Sequence, residues 1–522
     1  MRGRLLALAA PAVAQAVAVA CFVLKTRQLA GTVGVGAFPL DDSWIHMQFA
    51  RNLAEGHGFA YNPGVPVSGS TAPLWTLALG GIFALLGAHP SLAKALGLAA
   101  ALATAWLAGW LAEVWTDRPE LGLLAALLTA LSGPMVWGAL SGMEVALAAL
   151  LVTAAMLLHA AGWTAAASAA LGLAALARPE SLLLVPLIWL GGALTGRRAL
   201  RAFGPAVICV VPWIAFNLAT NGSALPATAS AKVEGGLVGF LEGLREPLRT
   251  TLLSRPWQFE SAWVRWLWQT DALVPVLVLP GLWWLGRRWR RTALLPASAL
   301  LLHPLAMALL APYRGPDFQE GRYSIHLLPL AIVAAVAALT PAVSRVPAGG
   351  ARGAGWRPLA GWVGAGALLV GALVTLPPAA SRCGWGVQNL DAMQVHLGQW
   401  VAIHTPAGAR LGLNDVGAIA YFSRREVVDV MGLVTPAIIP FRRDGEAGVL
   451  RYLQQSCPDY LIVFPAWFPE ITAMTDLFAP IYRVRLDHNE VAGADEMVVY
   501  EAAWSRWAAV RHACPGKKPG TV

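Results

Sequence analysis

The chain has 522 residues, 57% of them hydrophobic and only 13% charged, with a formal net charge of +9. A soluble domain would carry about a quarter charged residues, and an all-α soluble protein would need a polar face on each helix. Stretches such as 121–131 and 327–339 are apolar all round, which excludes that class and points to a membrane. The positive balance would suggest nucleic acid in a soluble protein. Here the arginines gather at the ends of apolar runs, which reads as orientation of membrane segments by positive charge inside and gives no nucleic-acid partner.

In chain order, Met1-Arg2-Gly3-Arg4 and an apolar run to Leu24 read as an uncleaved first span, because no small-residue cleavage site precedes the next region. Twelve apolar segments follow the pattern of spans, at about 5–25, 72–88, 91–115, 120–140, 142–161, 163–178, 181–195, 203–219, 270–286, 292–312, 322–342 and 358–377. Three arginine clusters (Arg197, Arg198, Arg201; Arg287, Arg288, Arg290, Arg291; Arg345, Arg352, Arg357) belong on the cytoplasmic side. Counting back from them places 222–268, 311–321 and everything from about Ser381 outside. Counting forward from a cytoplasmic Met1 places 31–70 outside as well. The two counts differ by one span, so one segment between 91 and 140 is re-entrant. The Gly- and Pro-rich stretch 132–142 is the candidate, since irregular backbone at that depth must line a cavity or be buried in protein. The expectation is a polytopic α-helical protein of about 11 spans plus one re-entrant segment.

Residues 381–522 change character. Short β-like runs (410–413, 427–430, 460–464, 481–486, 497–500) alternate with helical patterns at 390–404 and 447–455, which predicts a small extracytoplasmic α/β domain. The division is therefore 1–380, a membrane module with a first outer loop at 31–70, and 381–522, the outer domain. Of the five cysteines, Cys21 and Cys209 lie in apolar runs, and Cys383, Cys457 and Cys514 lie outside, where a disulfide is permitted. Three candidates define no pairing.

The stretch Asp41-Asp42-Ser43-Trp44-Ile45-His46 follows the first span. Adjacent carboxylates there are costly unless solvated, paired or metal-bound. Two readings stand side by side: the pair caps the helix that follows, or one member acts chemically while the other caps. Trp44 and Phe49 would anchor this helix at the membrane interface. His46, four residues after Asp42, shares its helix face, so Asp41, Asp42 and His46 form a candidate metal set; a hydrogen-bonded structural histidine is the alternative. Arg178-Pro179-Glu180 interrupts two apolar runs and reads either as a sugar contact or as a local ion pair tying a helix break. Glu144 follows the proposed re-entrant stretch and is expected to face an outer cavity, with a helix-starting glutamate as the plainer reading. Lys232 is either a ligand or a solvated surface lysine. Arg322 is either a ligand or a side chain snorkelling to the interface.

The pattern Asp41-Asp42-x-x-Ile45, then Ala50-Arg51-Asn52-Leu53-Ala54-Glu55-Gly56-x-Gly58-Phe59-x-Tyr61-Asn62-Pro63-Gly64, then Ser68-Gly69-Ser70-Thr71-x-Pro73-Leu74-Trp75, resembles the GT-C superfamily of membrane glycosyltransferases. The resemblance is nearest to the group that contains the mycobacterial terminal arabinofuranosyltransferases. Ser141-Gly142-Met143-Glu144, Arg178-Pro179-Glu180, Leu225-Pro226 with Lys232, Gly321-Arg322-Tyr323, Asn414-Asp415-Val416-Gly417 and Val428-Asp429-Val430-Met431-Gly432 are similar to that group too. The resemblance implies transfer of a sugar from a polyprenyl-phosphate donor to a cell-envelope glycan or glycolipid hydroxyl, on the outer face of a bacterial inner membrane. It places the general base, or a divalent cation (Mg, Mn or Ca), at Asp41 and Asp42, with Asp41 preferred as the nearer to the first span. Arg322, Lys232, Arg178, Glu180, Glu144 and Tyr323 become the donor phosphate and sugar contacts. The acceptor proton needs a base, the oxocarbenium-like transition state needs nearby negative charge, and a lipid phosphate leaving group needs cations.

Two other functions compete. A transporter or flippase of lipid-linked sugars would show repeats and ionisable residues near the midplane, whereas here the carboxylates crowd one face and no repeat stands out. An inactive scaffold of an envelope complex would share the fold without the activity.

Overall fold

The computed structural model describes residues 2–31, 36–191, 197–343 and 356–504, with the side chains of 2–7, 189–191, 197, 198 and 356–358 excepted. Arg345, Arg352, Cys514 and the loop 347–355 lie outside the described residues, as do the side chains of Arg197, Arg198 and Arg357. The chain forms two compact units. One comprises Met1–Lys25, Ala93–Trp213 and Val233–Ser381; the other comprises Thr26–Leu92, Ile214–Lys232 and Arg382–Val522.

The first unit is helical. Among the described residues of the whole chain, five helices are long and apolar enough to cross a membrane: Leu8–Ala30, Pro90–Thr116, Ala199–Asn221, Leu273–Leu310 and Leu359–His404. A sixth is added if Pro119–Leu131 and Gly133–Leu140, bent by 53°, count as one span. The bend falls at Ser132, where the re-entrant stretch was expected, because Gly133 and Pro134 break the helix. The other expected spans are shorter or interrupted. Val145–Ala160 and Thr164–Ala177 have 16 and 14 residues. Prolines 179 and 186 turn 181–195 into short 3-10 segments, and 322–342 is divided among three helices. Apolar run length alone does not register these breaks. Arg290, at φ 46°, leaves the helical region and divides Leu273–Leu310 at its arginine cluster.

Close contacts in this unit are made by small residues, as in lipid, where the hydrophobic effect does not drive helices together. A Cβ on Gly281 would collide with the Ala334 backbone, and one on Gly97 with the Ala139 carbonyl. The outward faces are apolar: Ile208 is 75% exposed and Leu359 56%.

The second unit carries a five-stranded sheet in the order β2-β1-β3-β5-β4, with β1 Arg410–Leu413, β2 Glu426–Asp429, β3 Tyr460–Val463, β4 Phe478–Arg485 and β5 Glu496–Ala502. The first three are mutually parallel and β5 runs antiparallel to both β3 and β4. β1 and β3 are buried almost throughout, as parallel strands covered on both faces must be. One face packs on helix His396–His404 and on helix Asp42–Ala54 of the outer loop through Ile45, Phe49, Leu397 and Val401. The opposite face packs on helix Gly445–Ser456 through Val449 and Leu453. The chain leaves β1 toward β2 and returns across β1 to reach β3, so the carboxyl end of β1 is the switch point of the parallel strands.

Trp44 and Phe49 are 2% and 0% exposed, so they are core residues of this unit and not interfacial anchors. Trp44 packs on Phe38, Tyr421 and Phe422 with ring centroids 4.8–5.0 Å away. Sequence marks them as aromatic and amphipathically placed, but cannot tell lipid headgroups from a covering protein layer. Cys21 and Cys209 are free thiols. Cys457 is disulfide-bonded.

Candidate active site

The carboxylates of the outer loop lie in the second unit. Asp41 occupies the N-cap position of helix Asp42–Ala54 but makes no side-chain cap bond there. Its carboxylate caps a different helix. Oδ2 accepts the Gly417 N–H and Oδ1 the Ala418 N–H, each at 2.7 Å, at the start of helix Ala418–Ser423. Gly417 is required there, because a Cβ would run into the Asp41 carbonyl and carboxyl. The Tyr61 hydroxyl donates to the Val416 carbonyl and closes the same turn. The expected capping role is therefore real but reaches across 376 residues of sequence.

The same turn, at the carboxyl end of β1, presents Asp415. Its Oδ2 accepts from Gln394 Nε2 at 2.9 Å and its Oδ1 from Asn414 Nδ2 at 3.2 Å. Asn414 is fixed in turn by accepting the Phe464 N–H at 3.3 Å. Asp41, Asp42 and Asp415 each keep part of their surface open. Burial, then the Asp415 carboxylate, pushes the Asp41 carboxyl well above its ordinary range, against the pull of its two amide bonds. Burial pushes Asp415 up to about 6, with Asp42 adding to the rise.

Asp42 differs from Asp41. Its Oδ2 lies 3.2 Å from the Lys232 ammonium, and the two side chains are 26% and 18% exposed. Lys232 ends the short helix Ala227–Lys232, whose Thr228 hydroxyl is shared between the Gly69 carbonyl of the outer loop and the Leu433 carbonyl of the C-terminal segment. Lys232 is thus an ion-paired lysine at the carboxylates, not a solvated one.

The expected metal set does not assemble. His46 is 4% exposed, and its Nδ1 lies 3.3 Å from Ser70 Oγ and 3.4 Å from Thr76 Oγ1, a structural hydrogen-bond set. The Asp41 oxygens face amide donors and Asp42 faces an ammonium, so three anionic or imidazole ligands do not converge. Among the described residues no group of three His, Cys, Asp or Glu side chains has the geometry to hold a metal ion. The residues as arranged do not fit a divalent cation at Asp41, Asp42 and His46.

The remaining sequence candidates lie in the helical unit. Arg178, 4% exposed, donates to Glu144 Oε1 at 2.7 Å and to Glu180 Oε1 at 3.1 Å. The local Arg178–Glu180 pair is present, and Glu144 joins it from the end of the bent helix pair. Arg322, also 4% exposed, donates to the Tyr323 hydroxyl at 2.9 Å. The Arg178 and Arg322 guanidinium carbons lie 4.7 and 4.9 Å from the Tyr323 ring centroid, cation–π contacts that hold both side chains inside the protein. Arg322 therefore does not snorkel. The backbone before it is unusual: Gln319, Glu320 and Gly321 have φ of 48°, 60° and 77°. Gly321 packs so closely on the Trp266 indole that no side chain fits, and Trp266 Nε1 donates to the Glu320 carbonyl at 3.1 Å. Two non-glycine residues in the left-handed region cost about 1–3 kcal/mol each, a strain this packing holds in place.

Sequence reasoning did not find the Gln394–Asp415 bond, the Gly417 contact or the backbone amide support of Asp429. That carboxylate accepts the Met431 and Val434 amides at 2.7 and 2.8 Å, and burial pushes it up to about 6. Both Asp415 and Asp429 take up protons more readily folded than unfolded, where the value is about 3.9. Their contribution to stability is therefore full below about pH 4 and is lost as pH rises through about 6. Thermal melts of the detergent-solubilised protein should rise on acidification from pH 7.5 to 5, by on the order of 1–2 kcal/mol per carboxyl, and Asp429→Asn should flatten the rise.

Residues 388–517 match a family described as a domain of unknown function, DUF8728. No curated protein matches the chain. Solved structures do. ArnT from Cupriavidus metallidurans in the apo state aligns with a TM-score of 0.58 at 15% identity, covering 97% of this chain and 99% of that one. ArnT bound to undecaprenyl phosphate gives 0.55 at 14%, with the same coverage. The oligosaccharyltransferase AglB from Archaeoglobus fulgidus, in complex with an inhibitory peptide and a dolichol-phosphate, gives 0.55 at 12%, covering 96% of this chain and 77% of that one. Arabinofuranosyltransferase AftD from Mycobacteria aligns at 0.40 and 16%, with 41% of that chain covered, too loosely to carry an argument about the sugar. ArnT and AglB are GT-C glycosyltransferases. A multi-pass helical unit, a small C-terminal sheet and a superposition over nearly the whole length of ArnT agree: this chain has the GT-C fold.

Proposed function

We propose that the chain is a glycosyltransferase that moves a sugar from a polyprenyl-phosphate donor to a cell-envelope glycan or glycolipid hydroxyl, at the outer face of a bacterial inner membrane. The observation that carries this reading is the pairing of a partly open carboxylate, Asp42, with an ammonium, Lys232, at 3.2 Å. The GT-C fold supports it, as do the undecaprenyl phosphate in ArnT and the dolichol-phosphate in AglB.

In this reading Asp42 is the general base. It takes the proton of the acceptor hydroxyl as that oxygen bonds to the anomeric carbon. The bond from the anomeric carbon to the phosphate oxygen breaks, and its electron pair leaves with the polyprenyl phosphate. Lys232 neutralises charge on the departing phosphate. Asp41, whose oxygens are occupied by two amides, holds the turn at Gly417 in place of acting as base. Glu144, Arg178, Glu180 and Tyr323 hold Arg322 in the helical unit.

The second unit supports the sidedness. The outer loop and the C-terminal sheet pack into one body, so they share one side of the membrane. The disulfide at Cys457 fits an oxidising, non-cytoplasmic side. We take 1–380 as the membrane module with its outer loop 31–70, and 381–522 as the extracytoplasmic domain.

The test is sugar release from a panel of radiolabelled polyprenyl-phosphate sugars by the purified full-length protein with membrane-extract acceptor. Turnover of one donor establishes the reaction and names the sugar. Binding of lipid-linked sugar without any turnover overturns it and favours a transporter or scaffold. Asp41→Ala should lower stability by about 2–4 kcal/mol, since it strands two amide donors, and a thermal melt reads this independently of activity.

A further inference from the structure

We infer that the helical unit holds a site for one small monovalent cation, of the chemistry of Na⁺, between the carboxylate of Asp271 and the hydroxyl of Ser132. The inference stands apart from the transferase reading, since it involves neither Asp42 nor Lys232.

Two helices break at one place. Helix Arg255–Thr270 ends at Asp271, whose backbone is extended at φ −162° and ψ 118°, and helix Leu273–Trp289 follows. Helix Pro119–Leu131 ends at Ser132, also extended, before the 53° bend into Gly133–Leu140. One face of helix Trp356–Leu390 runs past both breaks. A Cβ on its Gly371 would lie 2.7–2.8 Å from the Asp271 carboxyl atoms, and its Ala379 leaves no room for a Cβ on Gly133. Between these two, the Thr375 hydroxyl donates to the Thr270 carbonyl at 2.8 Å. Gly371, Thr375 and Ala379 are spaced four apart, so they share that face. Irregular backbone inside a membrane protein is tolerated where it is buried in protein or lines a cavity.

A cavity of about 10 Å³ lies between the breaks, room for one water-sized occupant. Its walls are apolar at Leu128, Val274, Ile332 and Ala372 and polar at Ser132, Thr270 and Asp271. The Thr270 hydroxyl is spent on the Trp266 carbonyl at 2.9 Å, and Asp271 Oδ1 accepts the Leu273 N–H at 2.9 Å. Asp271 Oδ2 and Ser132 Oγ have no hydrogen-bond partner among the described residues, and the two residues are 5% and 4% exposed. No charged side chain among the described residues stands beside Asp271. A carboxylate buried between apolar walls is costly unless a positive charge compensates it, and a water molecule supplies none. The two unspent oxygens are hard donors, which suit a hard cation. The end of helix Pro119–Leu131 reinforces them, because Pro134 has no N–H for the Ala130 carbonyl and the terminus carries partial negative charge. One carboxylate balances one charge. Mg²⁺ and Ca²⁺ need more oxygens, or retained waters, than this volume houses, and the same volume favours the smaller alkali cations. Such an ion would tie down the bend at Ser132, and helix Gly133–Leu140 leads from there to Glu144, the buried partner of Arg178.

The experiment is the thermal melt of the full-length protein in detergent, at fixed pH and ionic strength, in NaCl, KCl and choline chloride. Wild type, Asp271→Asn and Ser132→Ala are compared, alongside equilibrium binding of radioactive Na⁺ to the wild type. The wild-type melting temperature should rise with Na⁺ by about 1–2 °C for each tenfold increase beyond half-saturation, and rise less with K⁺. Ser132→Ala should raise the half-saturating Na⁺ concentration about tenfold, and Asp271→Asn should abolish the response. If Asp271→Asn does not fold, Ser132→Ala and the binding measurement carry the test: radioactive Na⁺ displaced by unlabelled Na⁺, but not by the same concentration of K⁺, supports the site. Identical melts in the three salts, with no displaceable Na⁺, overturn it and leave the cavity to a water or to a proton on Asp271. Equal responses to Na⁺ and K⁺ overturn the assignment to a small cation. A full Na⁺ response in folded Asp271→Asn overturns it too, because the ion then binds elsewhere. None of these readouts needs a sugar donor, so they stand whichever way donor turnover falls.

Discussion

Asp42→Asn should lower transfer by about 10²–10⁴-fold, the range ascribed to a positioned general base, while the protein melts close to the wild-type temperature. The amide is nearly the same size but does not take a proton, so the loss should fall on kcat, with KM for the donor changed little. Lys232→Met gives the complementary result. It removes the cation 3.2 Å from Asp42, so KM for the phosphate-bearing donor should rise along with the loss in rate. Asp41→Asn should behave differently from Asp42→Asn. One side-chain oxygen still accepts an amide, so activity should survive in proportion to folded protein. If Asp41→Asn abolished turnover in a well-folded protein and Asp42→Asn did not, the assignment of the base would be reversed. Rates at saturating donor, set against thermal melts of the same preparations, decide between the two.

Arg178→Ala should be among the most destabilising single changes in the helical unit, by about 3–5 kcal/mol. The guanidinium is 4% exposed and serves Glu144 and Glu180 together. Its removal leaves Glu144, itself 2% exposed, as a buried charge without its cation. The cost comes from that stranded carboxylate more than from the lost pair. The triple variant Arg178→Met, Glu144→Gln, Glu180→Gln should therefore recover most of the stability, because replacing a buried ion cluster by groups of similar volume is often close to neutral. Denaturation in detergent measures both. If the triple variant turned over donor normally, the cluster would be purely structural; a folded triple variant with a raised donor KM would return Arg178 to the donor site.

Much of the second unit was legible in the sequence because short parallel strands impose continuous apolar runs between turn residues. β1 was expected at 410–413 and found at Arg410–Leu413, and the helix expected at 447–455 spans Gly445–Ser456. The helical unit was legible as a class and not in detail. Apolar composition marks every segment that avoids water, yet Pro179, Pro186 and the left-handed run 319–321 decide where a helix stops. For the candidate site, the residue types stood out because charge is rare in such a chain. Their partners did not. Asp41 meets Gly417, and Lys232 meets Asp42 from 190 residues away. The periodicity of one helix records its own face but says nothing of which distant loop lies on it. The metal set failed for the same reason: the i, i+4 spacing of Asp42 and His46 was correct, but Ser70 and Thr76 had already taken the imidazole.

The grip of Gly417 and Ala418 on Asp41 sets a clock on biosynthesis. Ribosomes add residues from the amino end, so the outer loop emerges early and waits for a turn made 376 positions later. Until then the Asp41 carboxylate lacks the Gly417 and Ala418 amides, and Trp44 lacks Tyr421 and Phe422. A nascent or truncated chain would thread its first helices through the membrane with this turn still missing, and the second unit would close only after Ala418 had been made.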